Sequence, residues 1–325
     1  MPEIDSARGS SERTADREVP AAAESIQGRR GLGTRAYALS FAEFGHPLEL
    51  PKSGAWLLER HVSGGRERDA MGCYPIFSAQ NWDELANDLS DIGPRLVSIA
   101  LVTDPFGEYD ENLLRRSFDR VAAFKDHFVA DFSGPLQISR HHSYYARKAA
   151  SLVTVEAGPP PADFCAEWTD LYATLVRRHD LRGIKAFSRS AFERQLSVPG
   201  IVVIQAIEAG TLVGAHLWYE QEDVAYSHLA AASERGYQLN CSYAIYSAAL
   251  EFFRHRVKRI DFGGGAGAGV RDDGLTWFKR GWSNSVQTAY FCGKILNLES
   301  YNALSKAAGQ QDATYFPSYR SGELA

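Results

Sequence analysis

VKRIDFGGGAGAGVRDDGLTWFKRGWSN, residues 257–284, is the stretch from which the rest of the chain can be read. It opens as a short strand, with apolar Ile260 and Phe262 on either side of Asp261. The chain then sheds its side chains through Gly263, Gly264, Gly265, Gly267 and Gly269. It regains bulk in an aromatic and basic knot, Trp277, Phe278, Lys279, Arg280 and Trp282. Glycine lets a backbone approach a ligand or a neighbouring strand closely. A lysine beside such a bend can meet a negative charge that is already present or one that develops during a reaction.

Two nucleotide-binding patterns match the bend superficially. Asp261-Phe262-Gly263-Gly264-Gly265-Ala266-Gly267 has the look of a D-x-G-x-G-x-G nucleoside turn, and Gly263-x-Gly265-x-x-Ala268 fits a relaxed dinucleotide fingerprint. Both require a helix straight after the turn and several further βα units. Arg271-Asp272-Asp273-Gly274 follows instead, which is turn chemistry, and only 58 residues remain after Gly267 (325 − 267). A doubly wound sheet cannot be completed in that length.

Bulk composition narrows the choice. A hydrophobic content of 45% supports a sizeable core, and a net charge of −5 gives no global signature of a nucleic-acid binder. Contact with RNA would need a local basic patch. Cys73, Cys165, Cys241 and Cys292 are widely spaced, which suits a reducing compartment and neither a zinc site nor a disulfide framework. With no signal-peptide core and no apolar run long enough to cross a bilayer, a cytoplasmic protein is expected.

Residues 1–35 are rich in Ala, Arg, Glu, Ser and Gly, and a disordered tail is expected there. Ala55–Leu58 and Leu96–Val102 have strand character, the latter stopping at the turn cluster Thr103-Asp104-Pro105-Phe106-Gly107. Trp82–Leu89 reads as a short helix. The apolar spacing of Leu113, Leu114, Phe118, Val121 and Ala122 predicts a helix over Glu111–Phe124, followed by a strand at Phe128–Phe132. Ser139–Ala150, SRHHSYYARKAA, is the most basic ordered segment. It reads either as a solvated helix with inward tyrosines or as a phosphate-facing patch that includes Arg147 and Lys148. Gly158-Pro159-Pro160-Pro161 is a stiff connector and marks a boundary between two lobes, 36–157 and 158–325.

The second lobe has the clearest order. Ile201–Ile207, Thr211–Tyr219 and Val224–Ala231 are three strands joined by turns so short that neighbours must pair antiparallel. A polar loop follows, then a helix for which Ser242 is the expected cap, with Arg254, His255, Arg256 and Lys258 crowded at its end. The Arg259–Phe262 strand comes next, and Val286–Leu296 closes the order as a strand or strand pair.

Meander, loop, helix, strand and closing strand resemble the GNAT acyltransferases. Asp261-Phe262-Gly263-Gly264 together with Gly274-Leu275-x-x-Phe278-Lys279-Arg280-Gly281-Trp282 resembles one branch, the Fem-like acyltransferases. The tail Tyr315-Phe316-Pro317-Ser318-Tyr319-Arg320 is similar to that of relatives among bacterial polysaccharide-cluster N-acetyltransferases. The resemblance covers roughly residues 125–320. It implies an α+β fold of two GNAT-like lobes, each a mixed, mostly antiparallel sheet flanked by helices, with the chemistry in the second lobe. It also implies transfer of an acyl or aminoacyl group to an amine, from acyl-CoA or from aminoacyl-tRNA. Lys279 matches a lysine implicated near the reacting ester in the tRNA-using members.

One departure bears on the donor. GNAT proteins that use acetyl-CoA carry a Q/R-x-x-G-x-G/A loop around the pyrophosphate, at a helix N-terminus. The corresponding segment here is Glu234-Arg235-Gly236-Tyr237-Gln238-Leu239-Asn240-Cys241, with one glycine in the wrong register.

Amide formation needs a neutral amine, a held oxyanion and a stabilised leaving group. The candidate bases are His228, Glu234 and Asp261, each with a plain structural alternative: a core histidine, a solvated loop carboxylate and a cap on the glycine turn. Lys279, flanked by Phe278 and Trp282, supplies positive charge to the oxyanion or leaving oxygen. Arg235, Asn240, Ser242, Gly263, Gly264, Phe278, Trp282, Arg147 and Lys148 are the expected donor- or substrate-binding residues. No metal is expected, because His141 and His142 lack partners at ligand spacing. The tail and the acidic charge favour acyl-CoA as donor and the amino group of an amino sugar or related bacterial metabolite as acceptor. Aminoacyl-tRNA and a peptide-type acceptor form the alternative, which gains if the Arg140–Lys148 patch leads to Lys279. A non-catalytic binding module on the same scaffold is the remaining reading.

Overall fold

A computed structural model describes residues 28–62, 66–265 and 273–323. The part of the expected tail before residue 28, and the expected turn with Gly267 and Gly269, lie outside the described residues. The tail expectation needs correction at its end. Leu32 is buried, the Gly31 N–H donates to Pro199 O at 2.8 Å, and helix α1, Arg35–Leu39, starts on a Thr34 cap.

Eleven strands form one continuous sheet. In chain order they are β1 His46–Leu50, β2 Ala55–His61, β3 Arg68–Gly72, β4 Ser98–Val102, β5 Arg120–Asp131, β6 Thr154–Gly158, β7 Ile201–Glu208, β8 Thr211–Gln221, β9 Val224–Ala232, β10 Arg259–Asp261 and β11 Ser285–Ile295. The remaining helices are α2 Leu85–Ile92, α3 Glu111–Ser117, α4 Arg140–Ala150, α5 Phe164–His179, α6 Arg189–Gln195, α7 Glu234–Gln238, α8 Cys241–Phe253, α9 Gly274–Arg280 and α10 Leu298–Ala307.

The expected meander is present as β7-β8-β9, and its turns explain its register. Ala209 and Gly210 both have positive φ, the backbone of a two-residue hairpin turn whose twist matches the flanking strands. Between β8 and β9 only Glu222 has positive φ.

The same sequence of elements occurs twice. Three antiparallel strands, a helix, a strand parallel to the third, a short helix and a long strand describe β1-β2-β3-α2-β4-α3-β5. They also describe β7-β8-β9-α8-β10-α9-β11, with α7 leading into α8. The long strands are exchanged between the two sets. β11 pairs with β4, β5 pairs with β10, and β5 and β11 pair with each other at the centre. The strand order β1-β2-β3-β4-β11-β5-β10-β9-β8-β7-β6 follows from that exchange.

The helix predicted over Glu111–Phe124 stops at Ser117, and the chain runs on as β5. Local apolar spacing suits a helix there, but the pairing of residues 120–129 with β11 overrides it. Helices α1, α5 and α6 cover one core, which includes Trp168, Phe192 and Tyr226. Helices α4 and α8 cover another, which includes Trp218, Phe262 and Trp282. Helices α2 and α3 cover a third, under the first strand set.

Candidate active site at the glycine bend

Strands β9 and β10 run parallel only as far as Tyr226 and Asp261. Beyond that point the Phe262 N–H donates to Phe128 O at 2.9 Å and the Phe128 N–H to Gly263 O at 3.2 Å, so the chain follows β5 and leaves β9. Gly263 turns it at φ +74°, a conformation open to glycine at little cost. β9 continues to Ala232 without β10 beside it, and at its bulge His228 is left out of the pairing with β8. Beyond Asp261, β9 and the glycine bend diverge.

Lys279 reaches this bend from α9, which Asp273 caps by accepting the Thr276 N–H at 2.6 Å. The lysine is 9% exposed, and its Nζ donates to Gly264 O at 2.7 Å. Burial pushes its pKa down to about 8, Lys125 pushes the same way, and Asp261 and Asp273 oppose. Lys125 reaches the bend from β5 and donates to Gly265 O at 3.2 Å. Asp261 lies 2% exposed. One oxygen accepts the Gly263 N–H at 2.7 Å and the other accepts from His127 Nδ1 at 2.8 Å. Because Nδ1 donates to the carboxylate, neutral His127 keeps its lone pair on Nε2.

The far side of α9 is set by His142 of α4. His142 Nε2 donates to Phe278 O at 2.9 Å, so Nδ1 accepts from the Ser139 hydroxyl at 2.6 Å and the ring is neutral. A Cβ at Gly281 would stand 2.1 Å from His142 Cε1, which explains the glycine in F-K-R-G-W. Phe278 and Trp282 pack on Tyr243 and Tyr246 of α8. These two aromatics therefore hold the helix from which Lys279 projects.

Asp261, Gly263, Gly264, Phe278, Lys279 and Trp282 thus come together around one bend. Arg147 and Lys148 lie exposed on α4, the helix packed against α9. The remaining expected residues lie elsewhere. His228 sits among Tyr37, Phe187 and Tyr219, its Nε2 3.2 Å from Gln195 Oε1, and burial lowers its pKa to about 3. A base must gain a proton, and this ring is held neutral in an aromatic core. Glu234 pairs with Arg178 at 3.1 Å, and Arg235 with Glu208 at 2.5 Å, both at the surface. Ser242 is the second residue of α8. The cap position belongs to Asn240, in the left-handed region at φ 56°, with no side-chain cap bond.

Sequence reasoning passed over His127, Lys125, Asp104, Tyr226 and His216. Tyr226 donates to both oxygens of buried Asp104, at 3.0 and 2.9 Å. His216, also buried, has Nε2 2.8 Å from Ser227 Oγ, and burial, with Lys279 second, holds its pKa well below the usual histidine range. A polar residue at a regular strand position between apolar neighbours was the available signal for His216. His127 had none, because its strand was read as starting one residue later.

Among the described residues, no group of three or more His, Cys, Asp or Glu is arranged to hold a metal ion. No described helix is long and apolar enough to cross a membrane. No protein-family model and no curated protein matches the sequence. Solved structures do match the fold. FemX superposes with a TM-score of 0.63 at 12% identity, over 86% of this chain and 96% of that one. The C-terminal domain of a putative lysylphosphatidylglycerol synthetase from Agrobacterium fabrum gives 0.60 at 13% identity, over 86% and 91%. L-PGS from Bacillus licheniformis gives 0.59 at 13% identity, over 87% and 94%. The chain therefore has the GNAT-like α+β fold that these structures share.

Proposed function

We propose that this protein is a Fem-like N-acyltransferase that forms an amide where β9 and the glycine bend diverge. One observation carries the reading: a buried lysine ammonium, Lys279, bonded to Gly264 O beside the His127–Asp261 pair. The amine nitrogen attacks the acyl carbon, a tetrahedral oxyanion forms, and the bond to the leaving oxygen or sulfur breaks. Lys279 supports the negative charge on the oxyanion or the leaving atom, a role whose loss typically costs about 10²–10³-fold in rate. His127 Nε2 accepts the proton that the amine nitrogen loses, with Asp261 holding the ring.

Aminoacyl-tRNA is the donor this surface favours. Arg140, His141, Arg147 and Lys148 are exposed on α4, and that helix packs directly on α9 through His142. Tyr144 and Trp277 are about half exposed between them, in an arrangement suited to stacking unpaired bases beside phosphate-binding cations. Arg235, the residue expected to meet a CoA phosphate, is instead paired with Glu208. Acyl-CoA with an amino-sugar acceptor is the second reading, supported by the net charge of −5 and by the tail Tyr315–Arg320.

The test is transfer of label to an amine from either donor, with thermal shifts as the binding control. Formation of an amide from aminoacyl-tRNA supports the first reading, and formation from acetyl-CoA alone supports the second. Absence of binding and transfer with both donors would sink the assignment.

A further inference from the structure

Two ammonium groups meet at the glycine bend. Lys279 Nζ bonds Gly264 O and Lys125 Nζ bonds Gly265 O, successive carbonyls of one turn. An ammonium has three donors, and each of these uses one on those carbonyls. The neighbouring charges are Lys185, which acts on Lys125, and the carboxylates Asp261 and Asp273. Both oxygens of Asp261 are already committed, to Gly263 N–H and to His127, and Asp273 caps α9. Among the described residues, Lys125 and Lys279 thus meet at this bend, with Lys185 acting on Lys125, beside two carboxylates that already hold other partners. Burying like charges together is costly unless an opposite charge joins them.

The glycines of the bend are also packed against both lysines. A Cβ at Gly263 would stand 3.3 Å from Lys279 Nζ, and one at Gly264 would stand 3.0 Å from Lys125 Cδ. Side chains at these two positions would push against both lysines, so glycine allows the two ammonium groups to meet the bend. A tetrahedral phosphate has enough oxygens to bridge two such point cations.

We propose that Lys125 and Lys279 form a two-ammonium seat for a phosphate group, with Lys185 adding to the field. Burial holds Lys279 near a pKa of about 8, so it remains largely protonated at neutral pH. The proposed function enters only in naming the molecule that carries the phosphate.

Inorganic pyrophosphate, titrated calorimetrically into the full chain at pH 7, is the probe. The expected result is binding that weakens at least tenfold in both Lys125→Gln and Lys279→Gln, and less than twofold in Lys306→Gln, a variant of an exposed lysine on α10. Lys125→Arg, which keeps the charge, should retain binding within a few-fold, and circular dichroism of each variant controls for folding. No binding to the wild type, an unchanged Lys125→Gln, or an equal loss in Lys306→Gln would overturn the seat. Displacement of pyrophosphate by free CoA or by a single-stranded RNA ending in CCA identifies the carrier, and displacement by neither overturns the proposal. Pyrophosphate binding that persists without acyl transfer from either donor would leave the seat standing and remove the proposed reaction.

Discussion

Asp104 and Asp261 are structural counterparts that end β4 and β10 in the same way. Each uses one carboxylate oxygen to accept the backbone N–H two residues on, Phe106 at 3.0 Å and Gly263 at 2.7 Å. Each is also bonded by a residue of the other strand set, Asp104 by Tyr226 of β9 and Asp261 by His127 of β5. The exchange of the long strands places both carboxylates in one polar row across the middle of the sheet, where the charge of Asp261 acts on Asp104.

Asp104 should leave a mark on the pH dependence of stability. Burial pushes its pKa up to about 6, with the charge of Asp261 adding to it, while the Phe106 N–H and the Tyr226 hydroxyl pull the other way. The folded state then binds more protons than the unfolded state between the unfolded pKa, about 4, and the folded value. This contribution is fully present below pH 4 and is lost as pH rises through 6. Asp104→Asn should flatten the slope of unfolding free energy across that window, with a change on the order of 1–3 kcal/mol. Urea denaturation at several pH values checks this, and parallel wild-type and variant profiles would exonerate the carboxyl group.

Lys279→Met should separate stability from activity. The folded pKa of Lys279 lies below its unfolded value, so the folded state binds fewer protons between about 8 and 10.5. The penalty is complete below pH 8 and is relieved as pH rises toward 10.5. At pH 7 the methionine variant should be more stable by roughly 1–3 kcal/mol and should lose that slope. Its turnover should fall by about tenfold to a thousandfold. Retained turnover would remove Lys279 from the chemistry.

The contact between α4 and α9 predicts a steric coupling. Gly281→Ala places a methyl group against the buried His142 ring and should cost about 1–3 kcal/mol or more. His142→Ala also destabilises, since Phe278 O and the Ser139 hydroxyl lose their partner. The double variant should be more stable than the sum of the two losses allows. Strict additivity in chemical denaturation would show that the two positions do not meet.

The tail predicts a structural effect away from the site. Asp69 is fully buried and accepts from Arg320 at 2.5 and 2.9 Å and from Tyr319 at 3.1 Å, with Arg60 at 3.5 Å. Arg320→Ala should cost about 3–5 kcal/mol, the usual loss when one partner of a buried pair is removed. The melting temperature measures it, and a loss under 1 kcal/mol would mean that Arg60 and Tyr319 suffice.

Local chemistry made much of this molecule legible. Alternation and two-residue turns announced β7-β8-β9, because such turns leave adjacent strands no partner but each other. The glycine run and the knot around Lys279 announced a bend with a cation beside it. His228 was a reasonable candidate from alternation alone. Alternation puts it on the face of Val224 and Tyr226, and only tertiary packing shows that Tyr37, Phe187 and Tyr219 close over that face.

The sequence by itself determined the strand meander and the pairing of a side-chain-poor bend with Lys279, since each rests on local neighbours in the chain. Only the tertiary structure decided that the strand expected at Phe128–Phe132 starts at Arg120, and it did so through partners more than a hundred residues away. That one long-range pairing brings Lys125 and His127 to the glycine bend. Free energy gained between distant segments is invisible to any local pattern, and most of the candidate site is assembled by it.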